Sequence, residues 1–528
     1  MAVWRSGEDS PFSLSAAENT KHQSSDGGPS SLSAAENTKH QSSDGGSFSL
    51  SAAENTKQLI DLIGKSGDLK ERTFSFEKAE GRLLYFETIV DSGRIEESIL
   101  RPLSETDMQN VEEALTVLER EEIADPDKAI AALMQGKVLL FLEGRSICIA
   151  CGVETFFLRS IMEPANEKVI RGSHDGFVES LNTNIALIRE RIKHPGLMIE
   201  YVQLGQKTNT RVAIIYEKEI ANPVLVEELR RRVNSIDMDM MFDPGFLEDM
   251  VEDSTLSPFP QVLQTERPDR AIANVMDGRI LLFGDGSPTC IIMPVTFFAL
   301  YQSPDDYNAR TIPGSFYRLL RFISFFIAIL LPGLYIAIVG YHFEVLPPDL
   351  ILNIKGGVQT IPFPPLIEVL SMELAIEIIR EAGVRLPTPI GQTIGIVGGI
   401  IISDAVVSAG FASRTTVIVV AVTAISSFVA PSAEMSTATR LIRFPLMILA
   451  SLFGFYGLMF GIVALAIHLC KLESLGRPYF APMAPFRLKD LLRDTFIKQS
   501  AWKLNTRPLD SRPIKEDAEF RSREWEKK

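Results

Sequence analysis

DKAIAALMQGKVLLF at residues 127–141 and DRAIANVMDGRILLF at residues 269–283 are two copies of one pattern, offset by 142. Each copy ends in an apolar run of strand length, Val138–Leu142 and Ile280–Phe283. A looser correspondence runs the same way: Leu84-Tyr85 followed by Glu96-Glu97 returns as Ile215-Tyr216 followed by Glu227-Glu228, offset by 131. Further strand-length runs, Arg82–Phe86 and Val212–Tyr216, alternate with longer periodic stretches. That alternation predicts α/β (or α+β) layers. The repeats divide the region into two related subdomains, 58–200 and 201–315.

Beyond residue 315 the pattern changes to one long enough for lipid. Leu319–Tyr341 has Arg321 at its entry and is apolar afterwards, enough to cross about 30 Å of hydrocarbon. Pro332-Gly333 in its middle predicts a kink or break. Ile390–Phe411, Thr416–Ala430 and Phe444–Leu469 are further spans, the last the cleanest. Phe363–Arg380 carries Glu368, Glu373 and Glu377 among Leu, Ile, Val and Met, and reads as an interfacial or packed amphipathic helix whose start is set by Pro362, Pro364 and Pro365. The transmembrane domain is thus residues 316–470, with a basic tail at 471–528.

Composition and charge agree with a mixed chain. Its 528 residues suggest about three units. Mean hydropathy of +0.11 is high for a soluble globule, and 23% charged residues is high for a purely membrane chain. A net charge of −14 argues against a nucleic-acid binder. From Lys471 onward there are 14 basic and 9 acidic residues, which the positive-inside rule places in the cytoplasm. Four spans put both termini there, with Arg318, Arg321 and Arg414 on the same side. Arg440 and Arg443 then fall on the wrong side, a conflict that a re-entrant segment or a fifth span would remove.

Residues 1–57 lack an apolar leader and repeat with period 18: SLSAAENTKHQSSDGGPS at 13–30, a near copy at 31–48, and a truncated third at 49–57. So polar a composition predicts disorder.

Catalytic and metal signatures are weak. Cys148-x-x-Cys151 lacks the second pair that zinc needs, and Cys290 matches Cys148 at the 142-residue offset, so buried structural thiols are expected. The histidines have no ligand spacing, the glycine-rich loops lack the Lys-Ser/Thr of a phosphate loop, and no GxSxG elbow occurs. No enzyme, cofactor or metal is expected.

Asp404 is the exception, a carboxylate inside an apolar span. Thr393, Val397, Ile400, Asp404 and Val407 recur at helical spacing on one face, the candidate lining of an aqueous pore. The alternative is that Asp404 ends the span or pairs with Arg414 in a packed bundle.

IPFPPLIEVLSMELAIEIIREAGVRLPTPIGQTIGIVGGIIISDAVVSAGFAS at 361–413 and VAPSAEMSTATRLIRFPLM at 429–447 resemble the A subunits of GerA-type nutrient germinant receptors, as do FETIVDSGRIEESILRPL at 86–103 and RTIPGSFYRLLRFISFFIAILLPGLYIA at 310–337. The resemblance covers about residues 60–490. It implies a two-part cytosolic domain followed by a multi-span domain in the spore inner membrane. It also implies a transporter-like B subunit that binds nutrient, a lipoprotein C subunit, and self-assembly into a nutrient-gated channel for monovalent cations. Two rivals remain: a non-conducting scaffold subunit, and a secondary transporter.

Overall fold

The computed structural model describes residues 47–518, except 77–78, 106–110, 118, 155–162, 165, 170, 242–243, 360, 387–398 and 400–403. The first two copies of the 18-residue repeat lie outside the described residues, almost entirely. Part of the third departs from the expected disorder: Ala52–Lys57 opens helix α1 (Ala52–Ile63). Leu59 and Ile63 follow that copy directly, and they complete an apolar face with Ala52 that the polar repeat alone lacks.

The first unit continues with β1 (Leu69–Phe76), β2 (Ala79–Phe86), β3 (Arg120–Ile123), α2 (Pro126–Met134), β4 (Lys137–Leu142) and β5 (Cys148–Gly152). Its antiparallel sheet has the order β1-β2-β4-β5-β3. The second unit repeats this chain order: α3 (Leu181–Arg191), β6 (Leu197–Leu204), β7 (Thr210–Glu217), α4 (Pro223–Asn234), α5 (Pro244–Val251), β8 (Leu263–Thr265), α6 (Pro268–Met276), β9 (Ile280–Gly284) and β10 (Cys290–Met293). Its sheet order, β6-β7-β9-β10-β8, is the same arrangement again. The register repeats too, since Phe141 pairs with Cys148 and Phe283 with Cys290. α2 and α6 each begin with proline at the first turn, where the missing N–H costs nothing. Each is followed by a glycine at positive φ, Gly136 and Gly278, which turns the chain into the strand at a conformation costly for any residue with a Cβ.

Alternation along the strands splits each sheet between two cores. Val138, Leu140 and Cys151 face one side of the first sheet, while Leu139, Phe141 and Cys148 face the other. In the second sheet Ile214 and Leu282 face α4 and α5, and Ile215, Phe283 and Cys290 face α3 and α6. A buried clamp joins the units: Arg189 Nε and Nη2 donate to the Asp68 carboxylate at 2.7 and 2.9 Å, over the ring of Phe86.

The C-terminal half is helical: α7 (Thr311–Tyr341), α8 (Pro348–Gln359), α9 (Pro365–Arg385), α10 (Arg414–Ser427) and α11 (Ala433–Lys471). Two of these, α7 and α11 taken over its whole length Ala433–Lys471, are long and apolar enough to cross a membrane. α7 runs without a break through Pro332, where the sequence predicts a kink or an interruption. Gly333 lies against Leu458 and Ala450, and this packing supports the helix on that side.

The stretch 444–469, expected as one span, is not straight. Gly454 has φ 62° and ψ −137°, which ends one helix and starts another. The second arm folds back on the first: a Cβ on Gly457 would sit 1.9 Å from the Leu449 carbonyl oxygen, and one on Gly461 would sit 2.3 Å from the Leu446 side chain. In a continuous helix residues eight apart are separated by about 12 Å, so α11 is a hairpin with arms 433–453 and 455–471. At its tip the Tyr341 hydroxyl donates to the carbonyls of Ser451 (2.6 Å) and Leu452 (3.1 Å), acceptors that the end of the first arm leaves free.

Candidate functional site

Of the expected pore face, Thr393, Val397 and Ile400 lie outside the described residues. Asp404 and Val407 lie on a short helix, 404–408, with Asp404 exposed and Val407 half-buried. The adjacent Val406 packs against a core built from Tyr335, Val369 and Met447. This helix ends in a Schellman turn: Phe411 N–H donates to Val406 O and Gly410 N–H to Val407 O, with Gly410 at φ 71°. Asp404 makes no ion pair with Arg414 among the described residues.

The three glutamates of α9 point into the bundle rather than to an interface. Glu373 meets Arg443 at 2.8 Å with both side chains buried, and Glu377 meets Arg440 and, at 3.7 Å, Arg443. Glu368 accepts the backbone N–H of Ser413. Arg380 lies over the Phe428 ring and donates to the Ser427 hydroxyl at 3.0 Å. Arg440 and Arg443 are therefore partners of α9 inside the bundle and not loop cations. α9 runs antiparallel to the first arm of α11, since 373 meets 443 and 377 meets 440. Such pairs are costly to bury and costlier still to break.

A second cluster sits where the sheets meet the helices. Asp306 accepts from Arg318 Nε at 3.3 Å and Arg321 Nη1 at 2.6 Å, while Arg318 Nη1 donates to the Asp494 carboxylate at 2.7 Å. Arg318 and Asp306 are wholly buried. The tail thereby holds the base of α7. It continues along the second unit, where Phe297 N–H donates to Tyr479 O at 2.8 Å, Arg279 pairs with Asp510 at 2.7 Å, and Ile514 N–H donates to Ile220 O. A cavity of about 720 Å³ remains between α6, residues 296–308 and the tail.

Cys148, Cys151 and Cys290 are buried, and burial pushes the first two thiols up to about 12. Cys148 and Cys151 face opposite sides of the sheet. Among the described residues no group of three or more His, Cys, Asp or Glu side chains is arranged to hold a metal ion.

Comparison with known proteins settles the lineage. The family model for the Bacillus/Clostridium GerA spore germination protein matches residues 57–509. The chain belongs to the GerA family. Its relatives include spore germination protein KA of Bacillus subtilis (strain 168), 36% identical over 84% of each chain. They also include the uncharacterized membrane protein YfkQ of the same organism, 39% identical over 84% of this chain and 87% of that one. Among solved structures, the N-terminal domain of the A subunit of the Bacillus megaterium spore germinant receptor GerK3 matches 48% of this chain and 98% of its own. It is 28% identical, with a TM-score of 0.37.

Sequence reasoning missed the α11 hairpin, the α9–α11 ion pairs and the docking of the tail. For this GerA-family chain the hairpin had a signal: Gly454, Gly457 and Gly461 interrupt the middle of an apolar run, where close helix approach needs small residues. The tail had none, because its partners lie some 200 residues upstream.

Proposed function

We propose that this chain is the A subunit of a nutrient germinant receptor and conducts monovalent cations as a ring of like subunits. The ring would sit in the spore inner membrane, with the sheets and the tail in the cytoplasm. α7, α9, α10 and the two arms of α11 would run up and down through the bilayer, with the chain returning once between 385 and 411. Nutrient bound by a transporter-like B subunit, with a lipoprotein C subunit in the complex, would favour the open arrangement by binding it better than the closed one.

The observation that carries this reading is the exposed Asp404, one helical turn from half-buried Val407 and beside Val406, which packs on the core. Lipid does not tolerate a bare carboxylate there, so water or a neighbouring subunit must cover that side. Water in a pore would hydrate Asp404 and favour cations, while Val397 and Val407 would form the closed constriction.

Potassium flux from liposomes carrying the purified full chain tests this. Val407→Ala should leak without nutrient, and Asp404→Asn should cut cation flux about tenfold, a little over 1 kcal/mol in barrier. No flux from any of the three proteins would leave the scaffold reading in its place.

A further inference from the structure

The cavity between the second unit and the tail is walled by apolar groups, including Leu263, Phe298 and Leu509, with polar groups set among them. Three of those polar groups are incompletely used. Arg279 is buried, and its Nη1 and Nη2 bond Asn274 and Asp510, but its Nε has no partner. Asp510 Oδ1 has none either. The half-buried carboxylate of Asp277 takes no hydrogen bond or ion pair from a described residue. Buried polar atoms are normally satisfied, and those left open at a cavity wall are where a ligand would bond. The volume falls within the range that holds small organic molecules.

The pairing of the charged groups around the cavity selects the ligand class. Asp269 pairs with Arg267, Arg270 with Glu167, Arg279 with Asp510 and Asp494 with Arg318. Asp490 lies 3.8 Å from Arg487, and Arg507 donates to the carbonyls of Met276, Lys515 and Asp517, so among the described residues Asp277 is the lining acid without a bonded cation. We propose that this cavity is a binding site for a small organic cation, a protonated amine on an apolar body with a polar far end. Its ammonium would meet Asp277, and its far end would meet the open Arg279 Nε. The inference goes beyond the proposed conduction and does not depend on it.

The site touches the base of α7. Tyr307 and Asp494 line the cavity, Tyr307 Oη donates to Asp494 at 2.6 Å, and Asp494 holds Arg318. An occupant therefore presses on the group that fixes where α7 starts. The titration of Asp277 follows its surroundings: burial pushes it up to about 7, Arg279 and Arg507 pull it down, and Asp510 and Asp494 push it up. Only the ionised form attracts an ammonium, so affinity falls as pH drops through that value.

Calorimetric titration of the purified full chain in detergent with tyramine tests the site, with tyrosol, in which hydroxyl replaces ammonium, as the matched neutral probe. Saturable tyramine binding is expected, about tenfold weaker at pH 6 than at pH 8, with no saturation by tyrosol. Asp277→Asn removes a charge that bonds nothing in the protein, so it should fold and bind tyramine at least about tenfold more weakly. Ala273→Trp, which fills the cavity from α6, should abolish binding. Absence of saturation with tyramine, equal binding of tyrosol, or unchanged affinity in both variants would each overturn the proposal.

Discussion

The two sheet units share strand order, register and a helix–glycine–strand turn, yet they end in different surroundings. The first unit closes on itself: its two cores are filled by its own residues, from Phe48 to Val153. The second closes on the rest of the molecule. The core on its α3–α6 face runs on through Phe297 and Tyr301 into Phe325 of α7, Met435 and Leu469 of α11, and Tyr479 of the tail. A duplicated fold thus supplies one copy that is complete and one whose core is shared with the membrane helices. Motion of α7 or of the hairpin must disturb the second unit, whereas it reaches the first through a narrower seam, the Arg189–Asp68 clamp and the bonds of Ser66 and Gly67 to Ile199.

The sharpest way to break this comparison is to cut the shared side. Arg318→Ala leaves Asp306 buried without one of its cations and frees Asp494, and should cost about 3–5 kcal/mol. Thermal unfolding of the detergent-solubilised chain and protease cleavage of the tail would both report it. The matched cut between the units, Arg189→Ala, should destabilise by a similar amount while leaving the tail protected.

Next in size, Phe141→Ala and Phe283→Ala remove equivalent rings and should each cost about 3–5 kcal/mol. Hydrogen exchange should spread from Phe283 into α7 and the tail, but from Phe141 only through the first unit. Equal spreading would dissolve the distinction between a closed and a shared core. Gly457→Ala should cost about 3 kcal/mol or more, because its methyl would drive the arms of α11 apart. Gly454→Ala should cost about 1–2 kcal/mol through its positive φ.

The smallest effect is a pH dependence of the second unit. Glu252 of the second unit is pushed up by burial from 4.5 to about 7, and Glu248 likewise, with Glu434 at the foot of the hairpin adding to it. A carboxyl raised in the folded state stabilises below its unfolded value and loses that contribution as pH rises through the folded one. The melting temperature should therefore fall between pH 4.5 and 7, and Glu252→Gln should flatten the fall.

Much of this was legible beforehand. The 142-residue offset named the strand pairs that carry Phe141–Cys148 and Phe283–Cys290, because β-strands write their burial as local apolar runs. The positions of α7, α9 and α10 followed from proline starts and apolar length. Arg440 and Arg443 were visible as cations at odds with a four-span count, yet their partners were not, since Glu377 and Glu373 lie some 65 residues away. For Asp404 the sequence marked an acid in an apolar stretch, and the fold adds that it stands on an outer side with Val406 turned inward.

By itself, then, the order of residues determined the duplicated layers, the apolar helices and the family, for these depend on periodicity and on turns a few residues long. Tertiary structure alone decided that α11 doubles back, that the α9 glutamates meet arginines inside the bundle, and that the tail seals the second unit while leaving a cavity beside Asp277. Those outcomes turn on contacts between distant segments, whose energies depend on what each side chain finds opposite it, and no local pattern encodes that.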